Sequence, residues 1–285
     1  MPRNNVKKLS PKKEPVQEAM QASNDLQSIL GFVMPTEHVS LPSQGKFYPP
    51  EHPLHNCEDI EIKFLTAKEL DILTSENLLK KGIAIERMLE SIIINKEIKV
   101  NDLLVGDKNA IIVAARAGTF GADYEVSLRC GECEKTFTHT FDLNEIGHLE
   151  KAGDDDIEIS ENGTFFVTLP QTEVKVECRF LTSKDEELLE GRASKKKKLN
   201  LPESVMTDQF KSFIVSLNGV TERGLVDEFV DVMPAGDLHY LNTQYANNIP
   251  NLDMVEECVC TNCNAENRVT LPFTANFFWP DSEIH

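Results

Sequence analysis

The chain has 285 residues, 40% of them hydrophobic and 27% charged, which is enough for two ordinary domains or one large one. Its formal net charge of −18 disfavours binding to nucleic acid and to anionic membranes. No apolar run reaches the length of about 18 residues that a transmembrane helix needs, and the lysine-rich N-terminus lacks the apolar segment of a secretory signal. We therefore expect synthesis in the cytosol, where thiols stay reduced.

Residues 1–40 are predicted to form a basic arm that is disordered or extended. The first thirteen residues carry five basic side chains and no acid. A second basic run covers Lys195–Lys198, and an acidic stretch begins at Asp154. Such runs are typical of solvated tails and loops, although the N-terminal arm could instead become ordered on a partner.

Residues 41–150 are predicted to form a first unit. Alternating apolar residues predict a strand, helical spacing predicts helices, and a Cys-x-x-Cys turn between alternating segments predicts a hairpin. In chain order these are a strand at Ile60–Phe64, helices at 68–80 and 85–93, a helix from Asp107 as N-cap to about Gly118, and a hairpin with the turn CGEC.

Residues 174–285 are predicted to form a second unit, after an acidic linker at 151–173. The same order of elements recurs. It comprises a strand at Val174–Phe180, a polar helix interrupted by ASKKKK, a helix at Val205–Leu217, a helix from Asp237 to about Ala246, and a hairpin with the turn CTNC.

Several residues match between the two units. The segment Phe64-Leu65-Thr66 recurs at 180–182, a shift of 116, whereas Gly106-Asp107 recurs at 236–237, a shift of 130. The cysteine pairs also differ by 130, so we place the 14 additional residues around the lysine run and its flanks. We interpret the chain as two diverged copies of a strand–helices–β-hairpin unit. The alternative is two unrelated halves that share a cysteine turn.

Four of the seven cysteines are predicted to hold one metal ion: Cys130, Cys133, Cys260 and Cys263. Two Cys-x-x-Cys turns supply the four thiolates of a structural zinc site, and such a site is closed to water and substrate. The gap of 126 residues between the pairs far exceeds the usual gap of about 15–20, so the two hairpins must meet in space. A redox dithiol at CGEC and thiols without metal are the alternatives. The predicted fold class is α+β, with two diverged repeats joined by a zinc-ribbon-like site and preceded by a flexible arm.

The remaining cysteines and nearby histidines are given structural interpretations. We expect Cys258 to replace a buried apolar residue. Cys57 with His52 and His55 could bind a metal, but a surface loop is the favoured interpretation. His139 alternates with two phenylalanines and is expected to be partly buried and hydrogen-bonded.

The sequence contains no GxSxG, HExxH, P-loop or GxGxxG motif, which predicts a protein that is not an enzyme. Acidic residues outnumber basic ones around both cysteine turns, which disfavours contact with phosphate. An alternative function is a zinc-ribbon adaptor that binds nucleic acid or a replication or transcription complex.

Three blocks carry a resemblance to a known family: LPSQGKFYPP, IEIKFLTAKELDILTSENLLKKG and LLVGDKNAIIVAARAGTFGADYEVSLRCGEC. Together they resemble the baseplate hub proteins of T-even-type contractile-tail bacteriophages, well over residues 41–145 and more loosely over 174–275. The segment TLPQTEVKVECRFLTSKDEELL is also similar to the opening of small tail-assembly chaperones of other contractile-tail phages.

The resemblance implies a structural component of the virion tail baseplate, or a chaperone for assembly of its central hub, that is made in the host cytoplasm. It implies other phage baseplate and tail proteins as partners, and neither an enzymatic activity nor a small-molecule substrate. Permanent hub subunit and transient assembly factor remain open at this point.

Overall fold

A computed structural model describes residue 31 and residues 33–149, 157–199, 204–273 and 275–278. The chain divides into two compact units, residues 1–35 and 36–285, and every element below belongs to the second. Most of the predicted basic arm and the start of the predicted acidic stretch lie outside the described residues.

The described residues contain nine strands in four antiparallel sheets. Three sheets have two strands, β1–β2, β3–β4 and β8–β9, and one has three in the order β5–β6–β7. Their bounds are β1 Thr36–Ser40, β2 Asp59–Lys63, β3 Asp123–Arg129, β4 Thr136–Asp142, β5 Phe165–Thr168, β6 Lys175–Cys178, β7 Ile214–Leu217, β8 Val255–Val259 and β9 Glu266–Thr270.

Eight α-helices accompany these strands within the described ranges. They are α1 Ala67–Thr74, α2 Glu76–Lys81, α3 Ala84–Ile92, α4 Val105–Phe120, α5 Ser183–Lys198, α6 Val205–Phe213, α7 Arg223–Val232 and α8 Ala235–Asn248, with short 3-10 helices at Val100–Asp102 and Ala275–Phe278. None of the described helices combines the length and the hydropathy that crossing a membrane requires. Helices beside small antiparallel sheets make the fold α+β, as predicted.

Local sequence explains where several helices begin. Thr66 and Glu69 form a capping box at the start of α1, and Thr182 and Asp185 form one at the start of α5. Each box satisfies backbone N–H groups that have no partner within the helix. The matched Phe-Leu-Thr segments therefore end on the N-cap of the first helix in each half.

Several predicted bounds are corrected by the structure. The helix predicted at 68–80 is two helices that meet at Ser75, whose extended backbone ends α1. The polar helix is not interrupted by its lysines, because α5 continues through Lys198; cations are favourable in the last turn of a helix. The helix predicted at Val205–Leu217 ends at Phe213, since the next four residues pair with β6 as strand β7.

Two further differences concern the second half. Helix α7 has no counterpart among the predicted elements. Strand β5 lies inside the segment predicted to be an acidic linker, and it pairs with β6 in register.

The predicted N-cap Asp107 is instead the third residue of α4, where its side chain is fully buried.

Both halves contain a pair of strands, then helices, then a cysteine hairpin. The interpretation as two copies matches the pair β1–β2 with β5–β6, α3 with α6, α4 with α8, and hairpin β3–β4 with hairpin β8–β9. Even the third strand β7 has a counterpart, an isolated bridge between Ile62 and Ile93. Helices α3 and α6 differ by 121 positions, so this interpretation places five of the 14 additional residues before α6 and nine after it.

One hydrophobic core joins the halves. Leu104 forms a β-bridge with Thr182, and the Val105 N–H donates to the Leu181 carbonyl at 3.1 Å. The Ser183 N–H donates to the Leu103 carbonyl at 2.8 Å. Phe47 packs edge-on against Phe180, with 4.7 Å between the ring centroids. In chain order, each of the long helices α4 and α8 is followed by one of the two cysteine hairpins.

Candidate metal centre

The two cysteine turns have the same backbone geometry. In the first, the Cys130 N–H donates to the Lys135 carbonyl at 3.0 Å, and the Glu134 N–H donates to the Cys130 carbonyl at 3.1 Å. In the second, the Cys260 N–H donates to the Ala265 carbonyl, and the Asn264 N–H donates to the Cys260 carbonyl, at 2.9 Å each. Glu134 and Asn264 adopt left-handed backbone angles, φ 59° and 56°, which close each turn. The turns therefore present both cysteines of each pair on one side.

The four predicted cysteines come together across the gap in sequence. Their sulfur atoms all lie within 4.8 Å of one another. Two of these contacts join the two hairpins: Cys130 Sγ lies 3.7 Å from Cys263 Sγ, and Cys133 Sγ lies 3.8 Å from Cys260 Sγ. Cys130 and Cys260 are buried, whereas Cys263 is exposed. Two hairpins whose cysteine pairs are separated by 126 residues in sequence thus form one cluster.

The cluster has the dimensions of a tetrahedral thiolate site. A metal bound to four sulfurs at about 2.3 Å places the sulfurs about 3.8 Å apart, which matches the two distances of 3.7 and 3.8 Å between the hairpins. No other group of three or more potential ligands with this proximity occurs among the described residues. The four sulfurs therefore fit a single ion with no position left for a further ligand.

Backbone hydrogen bonds favour ionisation at two of the cysteines. The N–H groups of Cys133 and Glu132 lower the pKa of Cys130 to about 6. Burial opposes ionisation of Cys260, but the N–H groups of Asn262 and Cys263 lower its pKa below the ordinary value. Thiolates are the forms that bind a metal, so each turn contributes at least one ligand that loses its proton readily.

Cys263 behaves differently because it is surrounded by the other sulfurs. The Ala265 N–H lowers its pKa, yet the sulfurs of Cys133, Cys130 and Cys260 together with burial raise it to about 12. Four thiolates this close repel one another without a cation. A bound divalent ion would remove that repulsion, and its binding would release protons.

Side chains outside the cysteine pairs hold the hairpins against each other. Asn267 Oδ1 accepts the Gly131 N–H at 3.1 Å, and Asn262 Nδ2 donates to the Thr136 carbonyl at 3.1 Å. Neither asparagine was predicted as a site residue, because the only signal in the sequence is their place within and just after the turn CTNC.

His139 and Glu256 form a third polar contact between the hairpins. The distance from His139 Nε2 to Glu256 Oε2 is 2.9 Å, and the histidine side chain is 21% exposed. The prediction of a partly buried, hydrogen-bonded histidine is confirmed. The contact ties β4 to β8, one strand from each half.

A small apolar cluster lies beneath the sulfurs. Phe137, Cys258 and the two buried ligand cysteines form it, with Leu128 and Val269 packed at its edge. Cys258 is 6% exposed, as expected for a substitute of an apolar residue, and burial raises its pKa. This packing shields one side of the sulfur cluster from water.

The second candidate cluster does not form a ligand group. Cys57 Sγ faces the carbonyls of Pro53 and His55 at 3.5 and 3.8 Å. His52 stacks on Tyr48 with ring centroids 4.3 Å apart, and His55 Nδ1 lies 2.7 Å from the Tyr48 carbonyl oxygen. These side chains stabilise a loop, in agreement with the favoured interpretation of this segment as a loop and not a metal site.

The comparisons with known proteins give one match. Residues 34–279 match the family described as T4 bacteriophage base plate protein, a span that includes every element of the fold described above. No curated protein and no solved structure matches the chain. With four-fifths or more of its length matched, and with the sequence blocks pointing the same way, the chain belongs to the T4 bacteriophage base plate protein family.

Proposed function

We propose that this protein is a structural part of the central hub of the phage tail baseplate, and that one zinc ion cross-links its two halves. The proposal of a bound metal rests on one observation, that the four cysteine sulfurs lie within 4.8 Å of one another. Family membership supports the baseplate, and the resemblance of the three sequence blocks supports the hub. The partners are then other baseplate and tail proteins, met first in the host cytoplasm and then in the virion.

A metal cross-link suits a load-bearing particle. The bond would join hairpins whose cysteines lie 126 residues apart in sequence, so it restricts the unfolded chain over a long loop. In the chain-entropy estimate for covalent cross-links, a loop of about 100 residues corresponds to roughly 4–5 kcal/mol. The cross-link also resists shear between the two hairpins.

The site supports a structural role and not a catalytic one. Four thiolates fill all positions of a tetrahedral zinc and leave none for water or substrate. We therefore propose that the protein has no enzymatic activity and binds no small-molecule substrate.

Metal content of the purified protein tests the zinc site. We expect about one zinc per wild-type chain, and a loss of zinc in Cys130→Ser and Cys260→Ser. Cys57→Ser is the matched control, because it makes the same chemical change outside the cluster. Tetrahedral thiolate sets also suit iron, and elemental analysis separates the two metals. A folded wild-type chain without metal refutes the site.

The hub assignment needs a separate experiment. Mass spectrometry of purified virions and of infected-cell lysate distinguishes a permanent subunit from a transient assembly chaperone. Presence of the chain in virions selects the subunit, which is the form proposed here. Confinement to lysate selects the chaperone.

Binding of nucleic acid is the competing function, and the charges near the turns disfavour it. Arg129, a basic side chain beside the first turn, pairs with Glu134 at 2.9 Å. Filter binding at low salt tests it, because phosphate contacts give a steep dependence on salt. We expect no retention of DNA or RNA.

A further inference from the structure

We propose that Asn262 and Asn267 are positioning residues that hold the two cysteine turns together before a metal ion binds. This inference rests on the proposed zinc site and names the side chains that would set its geometry. It follows from two hydrogen bonds that join side-chain amides of the second hairpin to the backbone of the first.

The two amides act in opposite senses. Asn267 uses its oxygen to accept the Gly131 N–H at 3.1 Å, inside the first turn. Asn262 uses its nitrogen to donate to the Thr136 carbonyl at 3.1 Å, at the first residue of β4. One donor between the two cysteines of the first turn and one acceptor at the start of β4 are thus satisfied, which fixes both the separation and the rotation of the turns.

Each asparagine is itself held in place by its own hairpin. Asn267 Nδ2 donates to the Ala265 carbonyl at 2.9 Å, so its oxygen points at the first turn. The Asn262 N–H donates to Cys260 Sγ at 3.4 Å, which couples the position of this residue to a ligand sulfur. Oriented donors next to ligand atoms are the usual way in which a protein fixes a metal site from outside the ligand set.

The arrangement is one-sided and so is not a by-product of the repeated pattern. At the shift of 130 residues, Asn262 corresponds to Glu132 and Asn267 to Phe137, neither of which carries an amide. Both side chains therefore come from the second hairpin, and both partners are main-chain groups of the first. The second hairpin holds the first, and the sulfurs of Cys130 and Cys263 remain 3.7 Å apart as a consequence.

A metal-free experiment isolates this role. Zinc is removed from the full chain with a chelator, a mild thiol oxidant is added, and the disulfides are mapped by mass spectrometry. In wild type we expect bonds between the hairpins, Cys130 to Cys263 and Cys133 to Cys260. In Asn262→Ala, Asn267→Ala and the double variant we expect bonds within each turn to replace them. Asn144→Ala, an exposed asparagine in the turn after β4, is the matched control.

The loaded site gives a second readout. Competition with a chelator should show zinc bound about 10–100-fold more weakly in the asparagine variants than in wild type or the control. The visible spectrum of the cobalt form should shift, since it reports the geometry of the four sulfurs. A general loss of stability without a change of geometry would leave that spectrum unchanged.

The outcomes separate this inference from the proposed function. If wild type binds zinc and the asparagine variants match it in affinity, spectrum and disulfide pattern, the positioning role is wrong while the zinc site stands. If wild type binds no metal, the zinc site is wrong, and an unaltered disulfide pattern in the variants would overturn the positioning role as well.

Discussion

Asp107 and Asp237 occupy the same place in two helices that are 130 residues apart. Each is the third residue of its helix, α4 or α8, and each side chain is completely buried. The Asp107 carboxylate accepts the N–H and O–H of Ser43, at 3.0 and 2.6 Å, and the O–H of Tyr48 at 2.7 Å. Asp237 accepts the N–H groups of Gln171 and Thr172 and the Thr172 O–H, at 2.8–3.0 Å.

Both carboxylates bind the turn that follows a Leu-Pro pair, at residues 41–42 and 169–170. Each aspartate also precedes the first cysteine of its Cys-x-x-Cys turn by 23 residues. The same helix position, turn and spacing support the proposal that the two halves are diverged copies. In each half the aspartate anchors the turn after the first strand to the helix that leads to the hairpin.

Replacing Asp107 by alanine should destabilise the protein strongly. The change removes a buried acceptor from three donors, and hydrogen bonds to charged groups contribute about 1.5–3 kcal/mol each. Urea unfolding should show a loss of about 3–5 kcal/mol in the free energy of unfolding. Asp71→Ala, at an exposed position of α1, is the control and should change stability little. Equal stability of the two variants would contradict a structural role for the anchor.

The hydrogen bonds to the Glu69 carboxylate predict that the protein loses stability in acid. Burial opposes its ionisation, but hydrogen bonds from Lys63, Ser91 and Thr66 outweigh burial and lower the pKa to about 2. The lysine contact is 2.7 Å long. Because the folded pKa lies below the unfolded value of about 4.3, the stabilisation is complete above that value and is lost as the pH falls towards 2.

The variant Glu69→Gln isolates that contribution. At neutral pH it should be less stable than wild type by roughly 1–3 kcal/mol, and the difference should shrink as the pH falls from about 5 towards 2. Glu76→Gln, whose side chain is 84% exposed, is the control. Urea unfolding at several pH values measures both, and a difference that stays constant in acid would contradict the prediction.

Two helical glycines should respond oppositely to alanine. A Cβ on Gly106 would lie 1.8 Å from the Pro250 carbonyl oxygen, a backbone atom that cannot move aside cheaply. Gly106→Ala should therefore cost about 1–3 kcal/mol or more. Gly191 in α5 has no atom within 4 Å of the same position, so Gly191→Ala should be neutral or stabilise by up to about 1 kcal/mol. Thermal unfolding of both variants is the measurement, and a stable Gly106→Ala would show that the contact is not tight.

Removal of the metal should loosen the hairpins more than the core. The sulfur cluster has its own small apolar group, separate from the large core that joins the halves. Chelation should therefore raise hydrogen exchange in β3, β4, β8 and β9 while the core helices stay protected. A variant with serine at Cys130 and Cys260 should exchange similarly with and without chelator. Global unfolding on chelation would contradict this local role.

Much of the local structure could be predicted because its signals are short-range. Alternating residues gave the hairpin strands, the two Cys-x-x-Cys turns gave their connection, and the matched Gly-Asp pairs gave the repeated order. The sequence blocks also indicated the family that the match over residues 34–279 shows. The strand and turn signals each lie within a few tens of residues.

Contacts between distant residues decided the rest. Ile214–Leu217 could continue a helix by spacing alone, and became strand β7 because β6 offers an edge for pairing. Nothing near Asn262 or Asn267 in sequence indicates that their partners are Gly131 and Thr136. The sequence by itself determined four cysteines of the right kind and two turns to hold them. Only the tertiary structure determined that they meet, because the position of one hairpin against the other depends on a core assembled from both halves of the chain.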